Sequence, residues 1–319
     1  MFYSIIVPVY NRPDEIRELL ESLTHQSFKS FEVLIIEDGS DIPCEEITDS
    51  FKEQLQVRYY FKENSGQGFS RNFGFTQANG DYFIVFDSDC IVPSHYLGLV
   101  DSIIQENRID CWGGPDRAQS SFTAVQKAIN FSMTSMLTTG GIRGRKKSMS
   151  EFHPRSFNMG ISREVFEKTG GYRITRMGED IEFSIRIKES GFNTVLIEEA
   201  FVYHKRRINI PDFFKQLHFF GRARVNISRF YPKELKYIHL FPVLFLLGLS
   251  GLPFLFFISE FWFQSLLAIH LLYFFLIFSS ALIEERKIKI ASLAVIASIT
   301  QLTAYGIGFI SEYCRKLLD

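Results

Sequence analysis

Cysteine is scarce: four in 319 residues, Cys44, Cys90, Cys111 and Cys314, far apart and without a C-x-x-C pair. That excludes a disulfide scaffold, gives no structural zinc site and fits a reducing compartment. Excess charge of either sign is also missing, because 35 Lys and Arg face 36 Asp and Glu, so no whole-chain basic field points to nucleic acid. No cationic stretch followed by an apolar run occurs in the first ten residues, which already read as a short buried strand containing Pro8. The N-terminal part is therefore expected to stay in the cytosol. Internal repeats and low-complexity runs are absent as well.

Lys and Arg are missing altogether from residues 237–283, where Glu260 is the only acid. A spanning helix needs about 20 apolar residues to cross a hydrocarbon core of about 30 Å, and this stretch is long enough for two. Spans are expected at about 238–258 and 261–283, with a tight external turn at Ser259-Glu260, and a third at about 290–310 after the polar break Glu284-Glu285-Arg286-Lys287. Pro242, Gly251 and Pro253 weaken the first as a straight helix, but membrane helices tolerate such residues. Just before the first span, residues 203–236 carry nine Lys and Arg against Asp212 and Glu234, a net +7. The positive-inside rule assigns that side to the cytoplasm, and the bases of the 284–289 loop agree. Phe213, Phe214, Leu217, Phe220, Val225 and Ile227 alternate with the bases, as in a helix lying on an anionic lipid surface; an ordinary solvated basic helix is the alternative.

Residues 1–120 alternate β-rich runs at 3–9, 31–37, 57–61, 81–86 and 109–112 with helical stretches at 13–26, 44–54, 67–79 and 94–107. Such alternation predicts an α/β fold, a largely parallel sheet with helices on both faces. Ligands bind such sheets outside the carboxyl ends of the strands, so the residues just past each strand matter most. These are Val7-Pro8-Val9-Tyr10-Asn11-Arg12, Glu37-Asp38-Gly39-Ser40 and Asp87-Ser88-Asp89. Gly39 permits a tight turn of positive φ that lets Asp38 project into the crevice. Asp87 and Asp89, two apart at a strand end, can both reach one hard cation, Mg²⁺ or Mn²⁺; the plain alternative is a loop of solvated acids.

Gly178-Glu179-Asp180 precedes the amphipathic run 181–187. An acid there caps a helix N-terminus or serves as a general base for an acceptor hydroxyl, and Glu179 and Asp180 can divide those tasks. The glycine- and base-rich stretch 140–155 reads as a loop, either a lid or a cradle for a phosphorylated lipid acceptor, or else a solvated insertion. Trp112-Gly113-Gly114 at a strand end reads as an open aromatic platform, the glycines leaving backbone accessible, or else Trp112 is core.

Taken together, these pieces resemble a family-2 glycosyltransferase of GT-A fold. Val-Pro-Val-Tyr-Asn-Arg, Ile-Ile-Glu-Asp-Gly-Ser, Asn64-Ser65-Gly66-Gln67-Gly68 leading to Ser70-Arg71-Asn72-Phe73-Gly74, and Phe86-Asp87-Ser88-Asp89 occur in family order. Asn158-Met159-Gly160, Gly170-Gly171-Tyr172 and Gly178-Glu179-Asp180 continue the match, over about residues 1–230. The resemblance implies that Pro8, Val9, Tyr10 and Asp38 hold the nucleotide base, with Glu37 standing where an Asp is usual. It implies Arg71 at the base or diphosphate, Asp87 and Ser88 near the ribose and metal-bound water, and Asp89 on the divalent metal, with His204 as a further ligand. Asp180 is then the base of an inverting displacement, with Glu179, Trp112, Gly113 and Gly114 on the acceptor side. No Gln-x-x-Arg-Trp follows Asp180; Gln216-Leu217-His218-Phe219-Phe220 stands in that region, which argues against a processive synthase.

The expectation is a glycosyltransferase domain at 1–202, a basic juxtamembrane segment at 203–236 and a membrane region at 237–319. Such a protein moves one sugar from a nucleoside-diphosphate donor to a glycan or lipid-linked acceptor in cell-surface polysaccharide synthesis. It is integral to the inner or plasma membrane with its catalytic part in the cytoplasm, touches membrane lipids and no nucleic acid, and needs Mn²⁺ or Mg²⁺. A catalytically silent membrane adaptor is the contrasting expectation.

Overall fold

The computed structural model describes residues 1–119, 121–140 and 152–318. In chain order the elements are β1 (Tyr3–Val9), α1 (Pro13–Thr24), β2 (Phe31–Asp38), α2 (Glu45–Asp49), β3 (Val57–Lys62), α3 (Gln67–Gln77), β4 (Tyr82–Phe86), β5 (Cys90–Ile91), α4 (Tyr96–Glu106), β6 (Cys111–Gly113) and β7 (Asp116–Arg117). Then follow α5 (Ala124–Thr134), α6 (Met136–Thr139), β8 (Asn158–Ser162), α7 (Arg163–Thr169), α8 (Glu179–Glu189), β9 (Thr194–Leu196), β10 (Val202–His204) and α9 (Ile210–Phe230). The chain ends in α10 (Phe241–Ile258), α11 (Glu260–Glu285) and α12 (Ile288–Leu318).

Two compact units result, and they are not consecutive along the chain: residues 1–119 with 152–205 form one, and 121–140 with 206–318 the other. The linear division at 202 and 236 therefore misses that α5, far upstream, packs with the C-terminal helices; its Ala128 and Phe131 share a core with Ile277, Ala281, Ile290, Ala291 and Ala294.

The first unit is built on a seven-stranded sheet of order β3-β2-β1-β4-β8-β6-β9. Fully apolar runs such as Ile5-Ile6-Val7 and Leu34-Ile35-Ile36 are buried on both faces, as a helix-covered parallel sheet requires. The sheet is mixed, because β8 runs antiparallel to both β4 and β6. Its Gly160 lets Trp112 lie flat against the strand: a Cβ there would come within 2.0 Å of the indole. Strand order reverses at β1, which pairs with β2 along its whole length but with β4 only through Ile6. Pro8 lies beyond that last β1–β4 pair, where its missing N–H leaves no gap in the ladder. The two strands part there, and a crevice opens at the switch point.

In the second unit, three helices are long and apolar enough to cross a membrane, Tyr237–Ile258, Glu260–Glu285 and Ile288–Leu318. The first two present large apolar side chains outward, Phe254, Phe257 and Trp262 among them. The third is half buried and runs 31 residues, so at about 1.5 Å per residue it outreaches a core of about 30 Å. Its last turns carry Glu312, Arg315 and Lys316.

The basic helix α9 corrects the surface-lying expectation. Its Phe213 and Leu217 are buried in a core with Ala297 and Ala304 of α12. Backbone meets backbone along the pair: a Cβ on Gly221 would come within 2.2 Å of the Tyr305 carbonyl oxygen, and one on Gly308 within 2.1 Å of the His218 carbonyl oxygen. Small residues allow such close approach. Buried Glu312 then accepts from Arg222 at 3.0 Å and lies 3.5 Å from Arg229.

Candidate active site

Three turns meet at the switch point. After β1, Asn11 takes a left-handed φ of 54°, and its Oδ1 accepts from the backbone N–H groups of Asp41 and Ile42 at 2.8 and 3.1 Å. The turn past β1 is thereby tied to the turn past β2. In the latter, Gly39 has a φ of +73°, and a Cβ there would meet the Asn64 nitrogen at 2.8 Å. Tyr10 is exposed, Pro8 half-buried and Val9 buried.

Asp38 is buried rather than projecting freely. Its carboxylate accepts from Lys62 at 2.7 Å and from the backbone N–H groups of Ser65 and Gly66 at 2.9 and 2.8 Å. Burial opposes its charge, but the hydrogen bonds from Lys62 and Ser65 prevail and hold it below the usual carboxylate range. Glu37 is fully buried and also faces inward: it accepts from the Ser40 hydroxyl and, at 2.8 Å, from the Cys44 backbone N–H. The expected base contact for Glu37 is corrected to a turn-forming role, since both of its oxygens are engaged inside the protein.

Arg71, on α3, is buried. It donates to Asp87 at 2.8 Å, lies 3.4 Å from Glu179 and sits over the Tyr172 ring at 5.4 Å. Burial works against its charge, yet the carboxylates of Asp87, Glu179 and Asp180 hold it in the charged form. Its Nε has no hydrogen-bond partner among the described residues. Arg71 is thus a buried cation fixed between Asp87 and Glu179.

Asp87 and Asp89 part company. Asp87 is claimed by Arg71, whereas Asp89 belongs to a cluster with Cys90 and His204, whose candidate ligand atoms all lie within 4.8 Å of one another. Asp87, expected as a second metal ligand, lies outside that cluster, with one oxygen engaged by Arg71. The cluster follows from pairing: β10 runs antiparallel to β5 with His204 opposite Cys90, and the Lys205 N–H donates to the Asp89 carbonyl at 3.0 Å. His204 Nε2 lies 2.9 Å from Asp89 Oδ1. The imidazole stacks on Phe157 at 4.9 Å, and the Asp116 carboxylate lies 3.9 Å from its Nδ1.

Cys90 is buried, its thiol donates to the Phe157 carbonyl at 3.4 Å, and burial pushes that thiol well above its ordinary value, which disfavours the thiolate a metal would need. One carboxylate oxygen and one imidazole nitrogen remain. That donor set fits Mn²⁺ better than Mg²⁺, which prefers oxygen throughout.

Asp180 opens α8. Its Oδ1 accepts from the Ile181 N–H at 2.8 Å, and its Oδ2 lies 2.8 Å from Arg155 Nε. Glu179 is buried, held by Gln67 and Arg71, and burial together with the neighbouring Asp180 charge raises it above the ordinary carboxylate range.

The acceptor platform is corrected. Trp112 is fully buried in the main core, its indole N–H 3.4 Å from the Tyr96 hydroxyl. Gly113 and Gly114 are pressed against Pro154 and the Ala200 carbonyl, and Glu179 faces inward, so none of the four offers a surface to a sugar. Ser88 is likewise buried, and its hydroxyl donates to Glu15 at 3.1 Å. Of the 140–155 loop, 141–151 lie outside the described residues. Sequence reading missed Lys62, Arg155 and Asp116; each pairs across a long stretch of chain, and no local pattern marks such a partner.

The profile of glycosyl transferase family 2 matches residues 4–170, just over half of the chain. A glycosyltransferase of Rickettsia felis is 38% identical over 104 residues, 33% of this chain, but the chain spans only 17% of that protein's length. One from Haemophilus influenzae is 30% identical over 220 residues, 65% of this chain and 70% of that protein. Among solved structures, the mannosyltransferase PcManGT of Pyrobaculum calidifontis, in complex with GDP-Man and Mn²⁺, has a TM-score of 0.65 at 16% identity, covering 94% of this chain and 87% of that one. That likeness is one of fold, and it is the GT-A fold expected from the motifs. The chain is a member of glycosyl transferase family 2.

Proposed function

We propose that this protein transfers a single sugar, with inversion, from a nucleoside-diphosphate sugar to a glycan or lipid-linked acceptor at the cytoplasmic face of the plasma or inner membrane, in cell-surface polysaccharide synthesis. The observation that carries the reading is the Asp89–His204 pair, 2.9 Å apart at the mouth of the switch-point crevice. Mn²⁺ in complex with PcManGT and its GDP-Man supports a metal-assisted reading for this fold.

The base is assigned to the Pro8–Val9–Tyr10 edge beside Asp38, whose buried carboxylate shapes the 64–66 turn. Asp87 is assigned to the ribose and Arg71 to the diphosphate, whose negative charge its guanidinium would offset. Asp89 and His204 would hold the divalent cation, which when bound neutralises charge on the departing nucleoside diphosphate. Asp180 takes the proton of the attacking hydroxyl, and Arg155 aims its carboxylate. Attack opposite the leaving group in one displacement inverts the anomeric centre.

Nine bases ahead of three apolar helices support a cytoplasmic catalytic unit held in the lipid bilayer by those helices. Full-length protein in detergent, given a panel of nucleotide sugars with Mn²⁺, tests the reading by release of nucleoside diphosphate. Release from one donor that stops on chelation is expected; no release from any donor, with or without an acceptor extract, overturns it.

A further inference from the structure

Asp89 has two oxygens, and they face different partners, an imidazole and a guanidinium. Oδ1 lies 2.9 Å from His204 Nε2, while Oδ2 lies 3.4 Å from Arg12 Nη1. Arg12 follows directly after the β1 turn, and that same nitrogen donates to Glu15 Oε2 at 2.8 Å and Oε1 at 3.1 Å. Glu15 is itself steadied by the Ser88 hydroxyl at 3.1 Å. One guanidinium nitrogen is thus shared between two carboxylates, and the contact to Asp89 is the longest of the three. Arg12 and Glu15 are about one-third exposed, whereas Asp89 is nearly buried.

We propose that Arg12 is the resident counter-cation of Asp89, competing with the divalent ion for this carboxylate and withdrawing onto Glu15 when the ion binds. The inference rests on the metal reading above. A guanidinium and a divalent ion on one small carboxylate repel each other, and the Arg12–Asp89 contact yields first because Glu15 already holds Arg12 through two shorter bonds. Arg12 and Glu15 therefore act as positioning residues that set how readily the site loads.

The test is a titration of full-length protein in detergent with Mn²⁺ alone, followed by the paramagnetic resonance signal of free Mn²⁺, with no nucleotide present. Arg12→Gln is expected to tighten Mn²⁺ about 2- to 5-fold, the scale of one partly exposed ion pair. Glu15→Gln removes the alternative partner and is expected to weaken Mn²⁺ by a similar factor, and the double variant should bind like Arg12→Gln. Melting curves establish that each variant is folded, and Glu15→Gln tests the proposal by itself should Arg12→Gln misfold. Mn²⁺ binding by Arg12→Gln equal to or weaker than wild type, or by Glu15→Gln equal to or tighter, overturns the proposal while leaving the metal site standing. Unchanged Mn²⁺ binding by Asp89→Asn and His204→Ala instead overturns the metal reading itself, and the role of Arg12 with it.

Discussion

Arg155 Nε lies 2.8 Å from Asp180 Oδ2, while the other oxygen of that carboxylate accepts the Ile181 N–H of its own helix at 2.8 Å. The carboxylate is fixed in orientation from both sides, as a positioned base requires.

Asp180→Asn keeps the size and the helix-end hydrogen bond but cannot accept a proton. Turnover is expected to fall about 10²- to 10⁴-fold with donor affinity near wild type. Arg155→Ala, which loosens the aim without removing the base, should lower kcat by about tenfold to a hundredfold and leave donor KM alone. Steady-state kinetics separate the two; a pure KM effect in Asp180→Asn makes it a binding or capping residue.

Trp112→Ala reports on the corrected acceptor platform. Deleting a fully buried indole from the core should cost about 3–5 kcal/mol of stability, read as a lowered melting temperature. Acceptor KM in the protein that remains folded should not change.

Asp38 gives a pH prediction. Its carboxyl is held below the usual range by Lys62 and Ser65 hydrogen bonds that outweigh burial. Stability from it is therefore fully present above the ordinary aspartate pKa of about 3.9 and is lost as pH falls through the lower folded value. Asp38→Asn should be less stable than wild type at pH 7, and the gap should close toward acid. Melting temperatures from pH 7 down to pH 3 check this; a gap that widens toward acid contradicts it.

Truncation before Tyr237 tests the packing of α9. Phe213 and Leu217 lose Ala297 and Ala304, and Glu312 no longer meets Arg222 and Arg229. The shortened protein is expected to need detergent to stay dispersed in spite of its net positive segment. A monodisperse truncated protein in plain buffer, bound to anionic vesicles only at low salt, returns α9 to the lipid surface.

The same residues show what could be read in advance. Apolar runs such as 31–37 betray strands buried on both faces, and Asp38-Gly39 and Asp87-Ser88-Asp89 mark strand ends, so the sheet and its crevice were legible. Asn158-Met159-Gly160-Ile161-Ser162 is short, with glycine at its centre, and its antiparallel place between β4 and β6 has no local signature. The apolar face of α9 looks the same whether it meets lipid or α12, and only Gly221 and Gly308, approached closely by backbone, hint at a helix. Trp112 between glycines looks accessible until Gly160 is seen to make room for its ring. The first two spans were legible within two residues, because length and apolarity alone define them, whereas the third helix continues eight residues past the expected 310 to Leu318 through a charged end that apolarity does not mark.

The central claim is metal-assisted sugar transfer by Asp89, His204 and Asp180, and its most direct measurement is nucleoside-diphosphate release by full-length protein, with and without chelator, for wild type, Asp89→Asn and Asp180→Asn. The account predicts release by wild type that requires a divalent cation. It also predicts loss of Mn²⁺ binding together with release in Asp89→Asn, and loss of release with donor and Mn²⁺ binding retained in Asp180→Asn. Full release by either variant at saturating donor and Mn²⁺ would contradict it.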